Sequence, residues 1–94
     1  MRLKDKVAIV TGGARGIGEA IAALFAKEGA KVIIVDLLPQ GQQVAERIIS
    51  NGGVAEYHSV SVSDKGTIDA LFENVNKTYG KIDILINNVG ITRD

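Results

Sequence analysis

Closely spaced glycines follow an apolar run near the start of this chain. The run Val7–Val10 is rich in β-branched residues and ends at Thr11. It is followed by Gly12, Gly16 and Gly18, after which apolar positions recur at helical spacing. Glycine can adopt positive φ in a tight turn and lets an anion approach the backbone closely. First-turn N–H groups and the positive end of the helix dipole would then face that charge. The stretch predicts a strand, a turn and a helix that cradle a phosphate.

The glycine motif alone has two interpretations, because a ligand-free turn with close strand-to-helix packing uses the same residues. Its surroundings favour ligand binding. A second apolar strand, Lys31–Asp36, follows the first helix and ends in a carboxylate. Its distance along the chain is the one expected for a ribose contact. The two features together predict a dinucleotide site.

Composition narrows the class of protein. The 94 residues fit one small domain, and 46% hydrophobic and 23% charged residues are ordinary for a globular chain. Eleven basic residues balance eleven acidic ones, so no overall field favours nucleic acid or an anionic membrane. Cysteine is absent, which excludes a disulfide framework. We find no signal peptide and no apolar run long enough to cross a bilayer, so the expected compartment is the cytoplasm.

Hydrophobic spacing predicts three helices. The first begins at Arg15 or Gly16 and ends at Glu28, the second spans Gln40–Asn51, and the third is capped by Ser63 or Asp64 and closed by Gly80. The expected inward positions are Ile17, Ile21, Leu24 and Phe25 in the first helix, Val44, Ala45, Ile48 and Ile49 in the second, and Ile68, Leu71, Phe72, Val75 and Tyr79 in the third.

Four strands alternate with these helices. The third is expected from Val54 to Val60 or Val62, and the fourth from Ile82 to Ile86, leading into Asn87. The connections are too long for hairpins, so the class is α/β with a parallel sheet of order 3-2-1-4. The first two helices would cover one face and the third the other. A receiver-like or flavodoxin-like domain alternates similarly, but the first strand here ends without an acidic pair.

Separate stretches of the chain resemble one family, the short-chain dehydrogenases/reductases. The segment Thr11–Gly18 is similar to the family motif T-G-x-x-x-G-x-G, and Asn87–Gly90 is similar to N-N-A-G. The ending Gly90–Asp94 looks like that of the 3-oxoacyl-[acyl-carrier-protein] reductases within the family. The resemblance covers the whole chain. It implies a Rossmann-type dinucleotide-binding domain over residues 1–94, incomplete relative to the family fold.

The resemblance assigns cofactor contacts by position. The glycine-rich turn would line the pyrophosphate and adenosine ribose, with Gly18 as the small residue that lets helix and strand pack. Asp36 would accept from the hydroxyls of that ribose, Val62 would contact the adenine, and Asn88 and Gly90 would contact the ribose near the fourth strand. The implied cofactor-binding residues are Gly12, Gly13, Ala14, Arg15, Gly16, Ile17, Gly18, Asp36, Leu37, Ser61, Val62, Asn88 and Gly90.

NAD is the expected cofactor and NADP the alternative. The carboxylate of Asp36 would accept from both ribose hydroxyls of NAD and would repel a 2′-phosphate. Arg15 points the other way, because a basic residue there occurs in many NADP users of the family. An arginine can turn toward solvent, whereas a carboxylate beside the 2′ position cannot avoid the phosphate.

Two departures from the family pattern affect the predicted site. Ser61-Val62 stands where the family usually has Asp-Val, which weakens an acceptor for the adenine amino group. Val89 replaces the alanine of N-N-A-G and adds bulk beside the groove.

The resemblance implies hydride transfer between a carbonyl and an alcohol. The family's catalytic Ser, Tyr-x-x-x-Lys and Asn lie beyond N-N-A-G, so we expect these 94 residues alone to be inactive. A stand-alone, non-catalytic module that binds a dinucleotide or a partner is the alternative.

Other groups that could do chemistry have simpler explanations. Tyr57 and Tyr79 are the only tyrosines, and neither is followed four residues later by lysine. We expect Tyr79 to pack in the third helix, and Tyr57 to lie in a strand with its hydroxyl in solvent. His58 is expected to be a half-exposed strand residue, and no cluster fits a metal. The edge of Ile84–Ile86 should be open, so it is expected to pair with the rest of a larger fold or with a second copy.

Overall fold

Strands and helices alternate along the whole of the described chain. The structure, a computed structural model, describes residues 2–88. The elements are β1 (Val7–Thr11), α1 (Gly16–Lys27), β2 (Lys31–Val35), α2 (Gln40–Ser50), β3 (Val54–His58), α3 (Lys65–Tyr79) and β4 (Ile84–Asn87). Each helix therefore connects two parallel strands, as in right-handed crossover units.

The four strands form one parallel sheet in the order β3-β2-β1-β4, which confirms the predicted fold class and topology. Thr11 pairs with Val35 on one side and with Asn87 on the other. Val35 in turn pairs with His58. Because these residues end their strands in register, the segments that follow all four strands leave the sheet along the same edge. Chain order reverses between β1 and β4, where open parallel sheets bind ligands.

Alternate side chains of the central strands enter two separate cores. On one face, Ala8, Val10, Val32 and Ile34 pack against Ala22 of α1 and Val44, Ala45 and Ile48 of α2. On the other face, Val7, Ile9, Ile33 and Val35 pack against Leu71 and Val75 of α3. The helices therefore lie on the two faces as predicted. β1 and β2 are buried on both faces, which explains their continuous apolar sequences.

Three positions predicted to face the core are exposed. Ile17, Leu24 and Ile49 are 66%, 54% and 54% exposed. In α1 the buried residues are the small ones, Gly18 and Ala22. A helix that contacts the sheet through small residues leaves neighbouring large side chains in solvent. The prediction that the largest apolar residues of α1 mark its buried face was therefore wrong for Ile17 and Leu24.

Two strand boundaries also differ from the prediction. β3 ends at His58, and Val60 and Val62 continue as loop residues packed against the core under α3. β4 begins at Ile84, two residues later than predicted, and Asp83, just before it, bonds to the start of β1. The Asp83 carboxylate accepts from the Val7 amide at 2.8 Å, and the Asp83 amide donates to the Val7 carbonyl at 2.9 Å. The former contact lowers the pKa of Asp83.

The predicted ends of α3 are confirmed. The side chain of Asp64 accepts from the amide of Thr67, an N-cap contact that lowers the pKa of Asp64. Gly80 closes the helix in the left-handed conformation, with φ of 82°.

Tyr79 links α3 to the edge strand β3. It packs against the core as predicted, and its hydroxyl donates to the carboxylate of Glu56. The other oxygen of Glu56 lies 3.0 Å from Nε2 of His58, which is half-buried as expected. Partial burial and the bond to Glu56 raise the pKa of Tyr79 to about 12. Partial burial tends to raise the pKa of Glu56, but the bonds from Tyr79 and His58 hold it below its ordinary value.

The raised pKa predicts that Tyr79 stabilises the fold only while its phenol is protonated. The unfolded phenol ionises near its ordinary pKa of 10.0, whereas the folded one ionises near 12. The contribution is therefore complete below pH 10 and is lost as the pH rises toward 12. Tyr79→Phe should be less stable than the wild type at about pH 8, and the difference should shrink above pH 10. Urea unfolding at several pH values measures both free energies, and a difference independent of pH would contradict this assignment.

Candidate functional site

The glycine-rich turn joins β1 to α1 and extends the sheet by one bond. The amide of Gly12 donates to the carbonyl of Val35 at 2.8 Å. Gly12 and Gly16 have φ of 69° and 61°, values that favour glycine. A Cβ built on Gly16 meets nothing within 4 Å, so the turn is open on that side. Arg15, the N-cap of α1, makes no side-chain capping bond. The first amides of α1 are therefore available to an anion.

Gly18 sets how closely α1 approaches this turn. A Cβ built on Gly18 overlaps the carbonyl oxygen of Gly12 and lies 2.9 Å from Nδ2 of Asn88. Gly13 is also crowded, because its Cβ would lie 3.0 Å from Cγ2 of Ile34. Gly18 therefore fixes the helix against the turn, while Gly13 fits the turn against the sheet.

Asp36 follows β2 and reaches across to the glycine-rich turn. One carboxylate oxygen accepts from the amide of Ala14 at 3.1 Å, and the other accepts from the amide of Leu38 at 3.0 Å. Within residues 2–88, Asp36 belongs to no ion pair. The half-buried carboxylate is thus fixed by two amides and faces the turn without a neutralising cation.

Tyr57 approaches the same segment from β3. Its hydroxyl lies 3.1 Å from the carbonyl oxygen of Asp36 and 2.8 Å from that of Leu38, so its single proton is shared between these two acceptors. The prediction that this hydroxyl lies in solvent is therefore wrong. The alternation of polar and apolar residues in β3 could not predict this contact, because the acceptors are main-chain carbonyls of a loop.

Asn88 and Thr11 connect the end of β4 to the turn. The amide of Asn88 donates to Oγ1 of Thr11 at 3.0 Å, and its side-chain nitrogen donates to the carbonyl of Gly12 at 3.3 Å. The buried Thr11 hydroxyl has the carbonyl of Ile86 and Oδ1 of Asn87 within 3.2 and 3.1 Å. The Asn88 side chain, predicted to meet a ribose, thus supports the turn.

The remaining predicted site residues lie around this centre. Ile17 is exposed in the first turn of α1, and Leu37 is 60% exposed beside Asp36. Ser61 bonds through its hydroxyl to Ser63 at 2.7 Å, and Val62 packs toward α3, so neither is brought into hydrogen-bond contact with the turn. Gly90 lies outside the described residues, as do Val89 and the ending Ile91–Asp94.

The site prediction did not include Thr11, Tyr57 or Asn87. Thr11 and Asn87 stand within the quoted motifs, so their sequence signal was present, whereas Tyr57 carried none. Among the described residues, no group of acidic or histidine side chains could hold a metal. No helix in this part of the chain is both long and apolar enough to cross a membrane.

Comparison with known proteins agrees with this architecture. The family model described as short chain dehydrogenase matches residues 6–94. The chain belongs to the short-chain dehydrogenase family. A zerumbone synthase from Zingiber zerumbet is 48% identical, with 100% of this chain and 35% of the relative covered. The 3-oxoacyl-[acyl-carrier-protein] reductase FabG of Thermotoga maritima is 41% identical, with 100% and 39% covered.

A solved structure shows the same fold in this family. The crystal structure of a metagenomic short-chain oxidoreductase in complex with NADP superimposes with a TM-score of 0.91 at 36% identity, covering 97% of this chain and 42% of that one. The chain thus spans between a third and two fifths of the length of the two curated short-chain dehydrogenase relatives, 35% and 39%.

The packing of Gly18 yields a stability prediction. Gly18→Ala should lower the free energy of unfolding by about 1–3 kcal/mol, because the new methyl group would overlap the main chain of Gly12 and must displace the turn. Gly66→Ala is the matched control. It lies in the first turn of α3, and its Cβ would have only Asp64 Oδ1 nearby, at 3.9 Å. That change should be neutral or stabilise by up to about 1 kcal/mol. Denaturant unfolding measures both, and equal effects would contradict the proposed close contact.

Proposed function

We propose that residues 1–94 form the cofactor-binding portion of an NAD(H)-dependent short-chain oxidoreductase that interconverts a carbonyl and an alcohol. The observation that carries this proposal is the fixed, unneutralised carboxylate of Asp36 beside the uncapped start of α1. The carboxylate suits a sugar diol, and the amides at the start of α1 suit a diphosphate. The bond from the Ala14 amide to Asp36 keeps the carboxylate close to the turn that leads into α1.

The diphosphate would lie over the glycine-rich turn. Gly12 and Gly16 hold the positive φ values that turn the backbone, and the open space above Gly16 permits close approach. The amides that begin α1, including that of Ile17, would donate to phosphate oxygens, and the helix dipole adds to the attraction. The exposed side chain of Ile17 would then cover an apolar part of the cofactor.

Asp36 supports a preference for NAD over NADP. Its oxygens are held by Ala14 and Leu38, and each retains acceptor capacity for a ribose hydroxyl. A 2′-phosphate would meet this negative charge at a fixed position. Arg15 is exposed and could neutralise such a phosphate, and the similar metagenomic oxidoreductase was crystallised with NADP. NADP is therefore the alternative cofactor that the experiment below must include.

The remaining proposed contacts follow the family pattern. Leu37 would lie against the adenosine, Ser61 and Val62 beside the adenine, and Asn88 and Gly90 toward the ribose that carries the nicotinamide. In this proposal Asn88 acts in two ways, since its side chain also supports the carbonyl of Gly12.

When bound, the dinucleotide supplies or accepts the hydride. We propose that the described residues bind and orient this dinucleotide. Neither tyrosine is placed to give a proton to a substrate, because Tyr57 donates to main-chain carbonyls and Tyr79 donates to Glu56. We propose a 3-oxoacyl thioester as the substrate of the intact protein, on the similarity to FabG. NADH oxidation with an acetoacetyl thioester is the corresponding assay.

Substitution of Asp36 tests the cofactor proposal. Asp36→Asn keeps the shape, removes the charge and turns one of the two acceptor oxygens into a donor, and charge-assisted bonds are worth about 1.5–3 kcal/mol. In fluorescence titrations of the intact protein, NADH should bind roughly ten- to a hundredfold more weakly, and the preference over NADPH should disappear. Asp69→Asn, on the exposed face of α3, is the control and should change neither affinity. An unchanged preference in Asp36→Asn would contradict the assigned role of this carboxylate. Absence of binding by the wild type would contradict the proposed function.

The free side of β4 supports a second part of the proposal. Among the described strands β4 pairs only with β1, and Leu85 is 49% exposed. We propose that a further strand of the intact protein pairs here, and that the 94-residue chain alone self-associates through this edge. In sedimentation velocity at micromolar concentration, Leu85→Lys should reduce the association of this chain. Leu24→Lys, at an equally exposed position of α1, should leave it unchanged. A monomeric wild-type chain would contradict the proposal.

A further inference from the structure

The backbone between β2 and α2 is held by a side chain from β3. The hydroxyl of Tyr57 lies within 3.1 Å of the Asp36 carbonyl and 2.8 Å of the Leu38 carbonyl. The carbonyl of Leu38 also accepts from the amide of Gly41 at 3.0 Å, in the first turn of α2. One hydroxyl therefore bridges the carbonyl oxygens on either side of Leu37.

We propose that Tyr57 is a positioning residue that holds Asp36 against the glycine-rich turn and thereby sets the discrimination between NAD and NADP. This inference rests on the proposed function of Asp36. Tyr57 would then contribute to cofactor choice from β3, a strand that is separated from β1 by β2.

The anchor of this bridge is the sheet itself. Tyr57 pairs with Ile34 in the register of β2 and β3, and its ring packs against the core under α1 and α2. The ring also lies against Gly41, where a built Cβ overlaps two of its carbon atoms. Strand pairing thus fixes the backbone of Tyr57, and the absence of a side chain at Gly41 leaves the space that its ring occupies.

Both ends of Asp36 are consequently constrained. Its side chain is bonded to the amides of Ala14 and Leu38, and its carbonyl is bonded to Tyr57. A 2′-phosphate could be accommodated only if the carboxylate moved away, which requires either a rotation that breaks the bond to Ala14 or a shift of the segment. The Tyr57 hydroxyl opposes the shift, so its removal should make the segment easier to displace.

Tyr57→Phe removes the hydroxyl and keeps the ring. One hydrogen bond contributes enough to change affinity by about three- to tenfold. In titrations of the intact protein we expect the Kd ratio of NADPH to NADH to fall by that factor, with most of the change in NADPH, because the more easily displaced segment admits the 2′-phosphate. The fragments 5′-AMP and adenosine 2′,5′-bisphosphate should show the same fall, because the affected contacts are at the adenosine end. Tyr79→Phe removes the other tyrosine hydroxyl, which contacts Glu56, and should keep the wild-type ratio.

Gly41→Ala is an independent test, because it should displace the Tyr57 hydroxyl without removing it. Alanine is favourable within a helix, but its methyl group would push the Tyr57 ring aside. This variant should lower the ratio in the same direction as Tyr57→Phe. Tyr57→Phe combined with Asp36→Asn should show no fall beyond that of Asp36→Asn alone, because the hydroxyl acts through the carboxylate.

These measurements distinguish failure of the role proposed for Tyr57 from failure of the proposed function. A wild-type ratio in both Tyr57→Phe and Gly41→Ala, in a protein whose preference is lost in Asp36→Asn, would overturn the role of Tyr57 and leave the proposed function standing. An additive fall in the double variant would equally overturn it, since the hydroxyl would then act without the carboxylate. A wild type that binds neither dinucleotide would instead overturn the proposed function. Equal falls in Tyr57→Phe and Tyr79→Phe would reduce the effect to general destabilisation and would also overturn the inference.

Discussion

The hydrogen bond from the amide of Ala14 to the carboxylate of Asp36 is the contact on which the proposed site depends. It joins two segments that are 22 residues apart and that leave adjacent parallel strands. It forms because Thr11 and Val35 end their strands in register. The bond orients a negative charge toward the start of a helix whose first amides have no side-chain cap. A ligand with an anionic group and a neutral diol matches this distribution of charge.

The other strands that border this edge stabilise the same arrangement without supplying charge. From β4, Asn88 donates to Thr11 and to the carbonyl of Gly12. From β3, Tyr57 donates to the carbonyls that flank Leu37. The proposed ligand-binding atoms lie on the segments that follow β1 and β2, while the outer strands hold those segments in place. Binding residues in proteins commonly lie on loops that a rigid scaffold positions, and the outer strands would supply that support here.

The fold was predictable because its determinants are local and periodic. Apolar strands, amphipathic helices and glycine stops alternate clearly, and the topology followed from connection lengths. The glycine-rich turn and the acid after β2 were recognisable for the same reason. The exposure of Ile17 and Leu24 was missed because α1 approaches the sheet through Gly18 and Ala22, and contact through small residues is not visible in hydrophobicity. Tyr57 was missed because its partners are main-chain carbonyls, whose positions depend on the folded path of the loop.

The most direct test of the account is to follow backbone amide resonances of the intact protein during titration with NADH. We expect the largest shifts in residues 12–18 and 36–38, where the diphosphate and adenosine ribose would lie, and small shifts in α3, which covers the opposite face of the sheet. Saturable shifts confined to other surfaces, with residues 12–18 unaffected, would contradict the central claim that the turn and Asp36 together form the dinucleotide site.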